Sequence, residues 1–415
     1  MRRAALVVLV LLAGCVPAYA HHKPGHGPRP TTTTAAATTT TLPATTTTGA
    51  MPTTTVTMGN CNPGTPITIT TGGTYTGCYR STNPAVPAVT IETTQPVIFD
   101  HARVEHAGFG IYAYWDFQAD LNIHDTTFQQ LNPGTGHGSA RAVYAYNALK
   151  LVFEYNLLLD GAGVRWAGPD IDATLGRVRY NKALNIGRFT PPEEGLVQFL
   201  QTTEIDFPNG LEVAWNHVQN TPGLTHVEDV MNFSITNGAV GNLVEVHHNL
   251  LDGSYRPPTT GPYQHTGSGL ILGDQGGTYQ RAHHNWFVAT LNAGPSIPAG
   301  SNLEMDNNTV VVSGIVNGVD SGPDWGNGLT IWDNPSYSGV PSNNSVHDNT
   351  VGYMRLVSGS LERSDYWLPA CGVDGNTCSN NTSMAGGAIT TTDEQDARDA
   401  WEAARVAAGV TVGPR

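Results

Sequence analysis

Lysine is almost absent from this chain: beyond residue 57 only Lys150 and Lys182 remain. Charged side chains of every kind make up 13% of the residues, and the formal net charge is −14. A sparsely charged, acidic chain with no basic run lacks the patch that nucleic acid or an anionic membrane surface requires, so no nucleic-acid partner is expected. CxxC pairs are missing too, so the cysteines do not have zinc-site spacing. Cys61 with Cys78 and Cys371 with Cys378 read instead as two local disulfides, one closing each end of the folded region, as an oxidising compartment permits. No spanning helix is expected either, because the one long apolar run, near the start, is too short to cross a bilayer.

That run lies in residues 1–20, "MRRAALVVLVLLAGCVPAYA", which have a basic start, an apolar middle and small residues at the end, the pattern of a signal peptide. Two exits compete. "AYA" before His21 suits ordinary secretory cleavage, and "LAGC" ending at Cys15 suits a lipoprotein box that would leave a lipid anchor on Cys15. Both place the mature protein outside the cytoplasm, secreted or anchored at the cell surface. Residues 21–57 are a Thr/Pro-rich linker with too few large apolar side chains to offset the entropy of ordering it. Residues 58–390 carry the folded domain. Residues 391–415 hold a short C-terminal helix and tail, with Thr392 and Gln395 as the expected capping box and Gly409 after the helix.

Between these ends the chain repeats. With the asparagine of "VEVHHNLLDG" as position zero, nine copies align on Ala102, Thr126, Asn156, Asn181, Asn216, Asn249, Asn285, Asn308 and Asn349. Position −3 is apolar throughout, from Phe99 to Val246, Ala282 and Val346, and so is position +2, from Val104 to Val351. Positions −5 and −3 alternate with polar neighbours, which is the period of a strand. The shortest spacings are 23 to 25 residues. A unit of that length, with short strands, a corner asparagine and no helical period, describes a parallel β-helix of about nine or more coils with long loop insertions. Stacked coils would let buried asparagines hydrogen-bond from coil to coil. The side-by-side histidines of "HHN" are then mostly architectural: His248 and His284 occupy the corner, and His247 and His283 point outward.

This repeat, with stretches such as "GGTYTG", "HVEDVMNF" and "GLILGDQGG", resembles the single-stranded right-handed parallel β-helix proteins of the pectate-lyase-like superfamily over roughly residues 60–390. The resemblance implies an all-β solenoid, right-handed, binding a polysaccharide along one outer face between loops. It leaves activity open, since one fold hosts many functions. "GTGHGSA" around His137 echoes a segment of polygalacturonases, but the aspartate pairs and "RIK" of those enzymes are missing, so a glycine-rich turn is the better reading.

If −5 and −3 fill the core, −4 and −2 form an exposed face. On adjacent coils it carries Glu245, His247, Arg281 and His283, between long insertions after Gly187, Ser254 and Gly314 that supply Tyr255, Tyr263 and Trp325. For β-elimination on a uronic-acid polymer, Arg281 suits the role of quieting the substrate carboxylate, and His247 or His283 that of the base. Ca²⁺ is the candidate cofactor for the first role. For hydrolysis two carboxylates are needed, and Glu245 with Glu212 or Glu304 has suitable spacing. A structural reading, in which Glu and Arg on neighbouring coils make modest surface pairs, stands beside these.

A second group is "THVEDVMNF" with His226, Glu228 and Asp229, followed by Asp274 in "GDQGG"; such acids bind Ca²⁺ or sugar hydroxyls, or cap turns. Asp160, Arg165 and Trp166 form an ionic and aromatic trio suited to carbohydrate, or a structural salt bridge. The resulting expectation is an extracellular, monomeric polysaccharide lyase, with hydrolase or epimerase next. The alternative is a non-catalytic glycan-binding or adhesin-like surface protein on a threonine-rich stalk.

Overall fold

The computed structural model describes residues 65–113, 116–131, 140–169, 171–187, 197–255, 267–321, 325–337 and 339–415, together with the backbone of a short strand Val56–Thr57. The expected signal peptide, the lipid-anchor site Cys15, the linker up to residue 55, Cys61, His137 and Tyr263 lie outside the described residues, whereas Val56–Thr57, expected to end the linker, pairs with Tyr75–Thr76 as a strand.

Two long sheets account for the architecture, one of 22 strands and one of 11, and their pairings are parallel apart from the hairpin of Thr350–Val357 with Ser360–Arg363. A two-stranded antiparallel piece, Ile315–Val316 with Val319–Asp320, stands apart. The chain is therefore an all-β, solenoid-like stack. Its register is set by the columns read from sequence. Phe99, Ile123, Phe153, Val178, Val213, Val246, Ala282, Met305 and Val346 pair one with the next along the 22-stranded sheet. Every one is fully buried, as is the parallel column from Val104 to Val351. Burial of one branched or aromatic side chain contributes about 1.5–3 kcal/mol, and these columns repeat that gain at every turn of the chain.

The asparagines form the ladder. Asn156, Asn181, Asn216, Asn249, Asn285, Asn308 and Asn349 each donate from Nδ2 to the Oδ1 of the next, at 2.8–3.0 Å, ending on Asn381. Each Oδ1 also accepts the backbone N–H of the preceding corner, beginning with Thr126. Asparagine is needed because a buried corner has an orphaned N–H and an orphaned carbonyl, and one amide satisfies both. Asn381 is a further member that the nine-copy alignment did not include.

The residue before each corner position, asparagine in all but the first two, lies in the left-handed region, with φ of 51–61° at His101, Asp125, Tyr155, Tyr180, Trp215, His248, His284, Asn307, Asp348 and Asn380. His248 and His284 are therefore corner residues, stacked on each other at 5.1 Å. Trp215 stacks on His248 at 4.6 Å, and Tyr155 on Tyr180 at 4.8 Å.

Helix α1, Thr391–Ala407, lies against the strands Trp286–Thr290 and Thr309–Val312. Its cap is not the expected Thr392/Gln395 pair. Thr390 is the N-cap, bonded reciprocally with Asp393, because the helix begins one residue later than Thr390 and only Asp393 then sits at the third helical position. Gly409 follows the helix with φ of 66°, as a C-terminal stop requires. Trp401 is buried and donates from Nε1 to the His248 carbonyl, and Arg398 forks onto Asp252 at 2.9 Å. The tail continues across the corners: Gly413 N–H bonds the Tyr180 carbonyl, and Arg415 grips Asp125 while lying 3.8 Å over the Tyr155 ring. This strap crosses five consecutive corners, from His248 back to Asp125. A disulfide, Cys371–Cys378, closes the far end, and the half-buried Cys378 pairs with Val346, continuing that column past its fully buried members. Cys78 is also disulfide-bonded.

The 11-stranded sheet presents one outward residue per strand in a straight column. From Thr68 it runs through Thr90, Tyr112, Tyr144, Arg165 and Gln201. It continues through Asn232, Ile271, Ser296 and Thr330 to Trp367.

Candidate functional site in the second sheet

A cleft of about 720 Å³ opens on that column. Its acids are Glu228, Asp229 and Asp274. Glu228 and Asp229 enter the strand Asp229–Asn237, and Asp274 belongs to its neighbour, Ser268–Thr278. A bulge brings them together. Asn232 pairs with Ile271, yet Ser234 pairs with Asp274, so the neighbouring strand carries one extra residue. Gly273, with φ of 63°, takes the left-handed conformation that this insertion needs, and Asp274 is thereby re-aimed into the cleft.

Asn232 ties the acids: its Nδ2 donates to Asp229 at 3.0 Å and to Asp274 at 3.1 Å. One shared nitrogen holds those two carboxylate oxygens within about 6 Å of each other. The Asn232 Oδ1 is buried without a partner among the described residues. Gln198 donates to Glu228, and the buried guanidinium of Arg141 donates to Gln198 at 2.8 Å. Burial, then the repulsion of Asp229 and Asp274, pushes the Glu228 carboxyl well above its ordinary range. Burial raises Asp229 as well, against the hydrogen bond from Asn232. Burial, followed by the nearby Asp274 carboxylate, pushes the Tyr337 phenol up.

Aromatic walls complete the site: Trp325, Trp332, Trp367 and Tyr337 line it, with the rings of Trp332 and Trp367 5.1 Å apart. The Trp325 indole donates to Asn292 at 3.1 Å, which fixes its orientation. Arg355 also faces the cleft, with its Nε buried and unpartnered among the described residues.

Of the residues singled out in sequence, the structure brings Glu228, Asp229 and Asp274 together and adds Trp325. His226 lies outside the cleft, half-buried, with burial lowering its imidazole to about 4. Arg165 belongs to the outward column, on the strand next to that of Tyr144, and its guanidinium sits 5.6 Å over the Tyr144 ring. Trp166 needs correction as a carbohydrate contact: it is fully buried, donates to the Ala148 carbonyl and packs edge-on against Phe207, so it fills the core. Tyr255 is buried as well. Asp160 sits at a different corner, taking a hydrogen bond from Gln129 at 3.2 Å.

Glu245, His247, Arg281 and His283 lie on the other sheet, with Glu245 paired to Arg281 and His247 to His283. Arg281 forks onto the buried Asp306 at 2.8 Å and approaches Glu304 at 3.3 Å. The two imidazoles stack at 5.0 Å, and burial, then His247, lowers His283 to about 4. Arg179 similarly joins Glu154 and Glu212. The Arg179 and Arg281 guanidinia of this face are thus taken up by acids on neighbouring coils. Among the described residues the one group of acids and histidine with metal-ligand spacing is Asp100, His124 and Asp125, and Arg415 already holds Asp125.

Asn232, Tyr337, Trp332, Trp367 and Arg355 were not anticipated. The only sequence signal was the density of tryptophan between residues 325 and 367, in "DWGNGLTIWDNP" and "DYWLP". Among the described residues no helix is long and apolar enough to cross a membrane. Compared with known protein families, curated proteins and solved structures, the chain matches none.

Proposed function

We propose that the cleft of the 11-stranded sheet binds a polysaccharide and hydrolyses it. The observation that carries this reading is the trio of Glu228, Asp229 and Asp274 beneath tryptophan walls, with Glu228 kept protonated by burial beside two other acids. Glycoside hydrolysis needs one carboxyl group that gives a proton to the leaving oxygen and one carboxylate that acts at the anomeric carbon or on water. Glu228 fills the first role. Asp274, oriented by Asn232 and beside the Tyr337 phenol, fills the second, and Asp229 raises the proton affinity of Glu228 by its proximity. Tryptophan faces suit the apolar faces of sugar rings.

A second reading, β-elimination on a uronic-acid polymer, is favoured by one observation, the unpaired Arg355 Nε in the cleft. In that reading Ca²⁺ could also neutralise the substrate carboxylate, but the Asn232 Nδ2 already occupies the space between Asp229 and Asp274, so these acids do not form a ready cation cage and Arg355 carries the role. In either reading the chain is a secreted or surface-anchored, monomeric, right-handed β-helix of nine or more coils, akin to the pectate-lyase-like proteins. The disulfides support an oxidising compartment.

The test incubates the protein with xylan, β-glucan, mannan and polygalacturonan, following reducing ends and unsaturated product together. Reducing ends without unsaturation, lost in both Glu228→Gln and Asp274→Asn, are expected. Unsaturated product would establish the elimination. Retention of the polymers with no cleavage would establish the non-catalytic binder.

A further inference from the structure

The outward column that forms the cleft carries a second aromatic group at its other end. Asn232, the bridge between Asp229 and Asp274, is four strands from Trp367 in one direction. It is four strands from Tyr112 in the other. At about 4.8 Å per strand, each arm is about 19 Å long. Around Tyr112 three rings assemble: Phe109 lies 5.4 Å from Tyr112 and 5.4 Å from Tyr144, and the two tyrosines are 5.5 Å apart. They do not belong to the core. Their sequence neighbours Ile111 and Val143 are fully buried on the inner face, so alternation puts the rings outside, where they are half-buried.

Aromatic rings gathered on the outer face of a sheet are not needed to fill it, since a polar residue serves there. Their alignment with the acids is the second observation. The geometry points to Phe109, Tyr112 and Tyr144 as a distal sugar platform that holds the same polymer whose bond lies over Glu228. It rests on the reading of the cleft as a glycan site and adds the class of ligand: a linear polysaccharide long enough to span about 38 Å, from Tyr112 to Trp367. Chain advance of roughly one sugar per strand lets successive rings meet successive strands. Arg165, 5.6 Å over Tyr144, holds that ring in place between the platform and the acids.

The test uses Glu228→Gln as a background that leaves polymer intact, and measures retardation in gels containing xylan, β-glucan, mannan or polygalacturonan. Affinity for the corresponding tetrasaccharides is measured by calorimetry. Adding Tyr112→Ala or Tyr144→Ala is expected to lower the ratio of polymer to tetrasaccharide affinity by about threefold to tenfold. Tyr112→Leu, which keeps the packing volume but removes the π face, should do the same, so loosened packing is not an explanation. An unchanged ratio for a retained polymer overturns the platform. If the parent protein cleaves no polymer but retains one in a Tyr112-dependent way, the platform stands and the hydrolase falls. If no polymer is either cleaved or retained, both fall.

Discussion

Asn249→Ala tests whether the ladder holds the coils together. The two Nδ2 hydrogens of Asn249 are shared among Val213 O, His247 O and Asn285 Oδ1, and its Oδ1 accepts from Asn216 N and Asn216 Nδ2. Alanine removes all of these bonds. Asn216 Nδ2 keeps its bond to Val178 O, but the Asn216 N–H is left buried with no acceptor. An orphaned buried donor costs about 1–3 kcal/mol, and the vacated volume adds to it, giving about 3–5 kcal/mol in total. Asn381 supplies the internal comparison. It is only partly buried and ends the ladder, accepting from Asn349 and donating to Val346 O. Asn381→Ala should cost about 1–2 kcal/mol. Guanidinium unfolding followed by tryptophan fluorescence measures both. A loss below about 1 kcal/mol for Asn249→Ala, or equal losses for the two variants, would refute the reasoning.

Three further outcomes are expected. Asp125 is pushed up by burial but drawn down to about 2 by the hydrogen bonds and charge of Arg415, so its folded value lies below the unfolded one of about 3.9. The strap contact therefore stabilises fully above that unfolded value and is lost as pH falls towards 2; acid unfolding of Arg415→Ala should converge with the parent there and differ from it by about 1 kcal/mol or less at neutral pH. Glu228 has the opposite sign: its folded value is raised, so ionising it costs stability as pH climbs from its unfolded value through its folded one. Glu228→Gln should thus melt higher than the parent at pH 8 and with it at pH 4, while losing hydrolysis by about a thousandfold. Trp166→Ala should lose about 3–5 kcal/mol in denaturant titrations, whereas the exposed Trp367→Ala should lose less than about 1 kcal/mol and weaken glycan binding instead.

The stack was legible because its signal is redundant. The columns through Val246 and Leu251 flank a buried asparagine, and a polar residue fixed between two apolar positions stands out in the seven copies from Asn156 to Asn349. The corner histidines followed from the same alignment. The cleft did not, because the alignment is anchored on the asparagine corner and the chain between that corner and the second sheet varies in length. The bulge between Asn232 and Ser234 shifts the register once more, and it is this shift that places Asp274 near Asp229. Trp166 and Trp367 look alike in sequence, and only the register of their strands separates a core ring from an exposed one. Charge pointed to the other sheet for a related reason: Arg281 and His283 concentrate polarity there, where Arg281 pairs coil to coil with Asp306 and His283 bonds the corner residue His284.

The strap changes how such a stack comes apart. A one-dimensional array whose units touch only their neighbours melts piecemeal, each rung free to open when the next does. Here Trp401 and Arg415 clasp rungs far apart in the array, so loosening any rung between them strains a common fastening. Release becomes a shared event for that whole middle section. Hydrogen exchange should register it as a single plateau from residue 125 to residue 248, in place of a gradient.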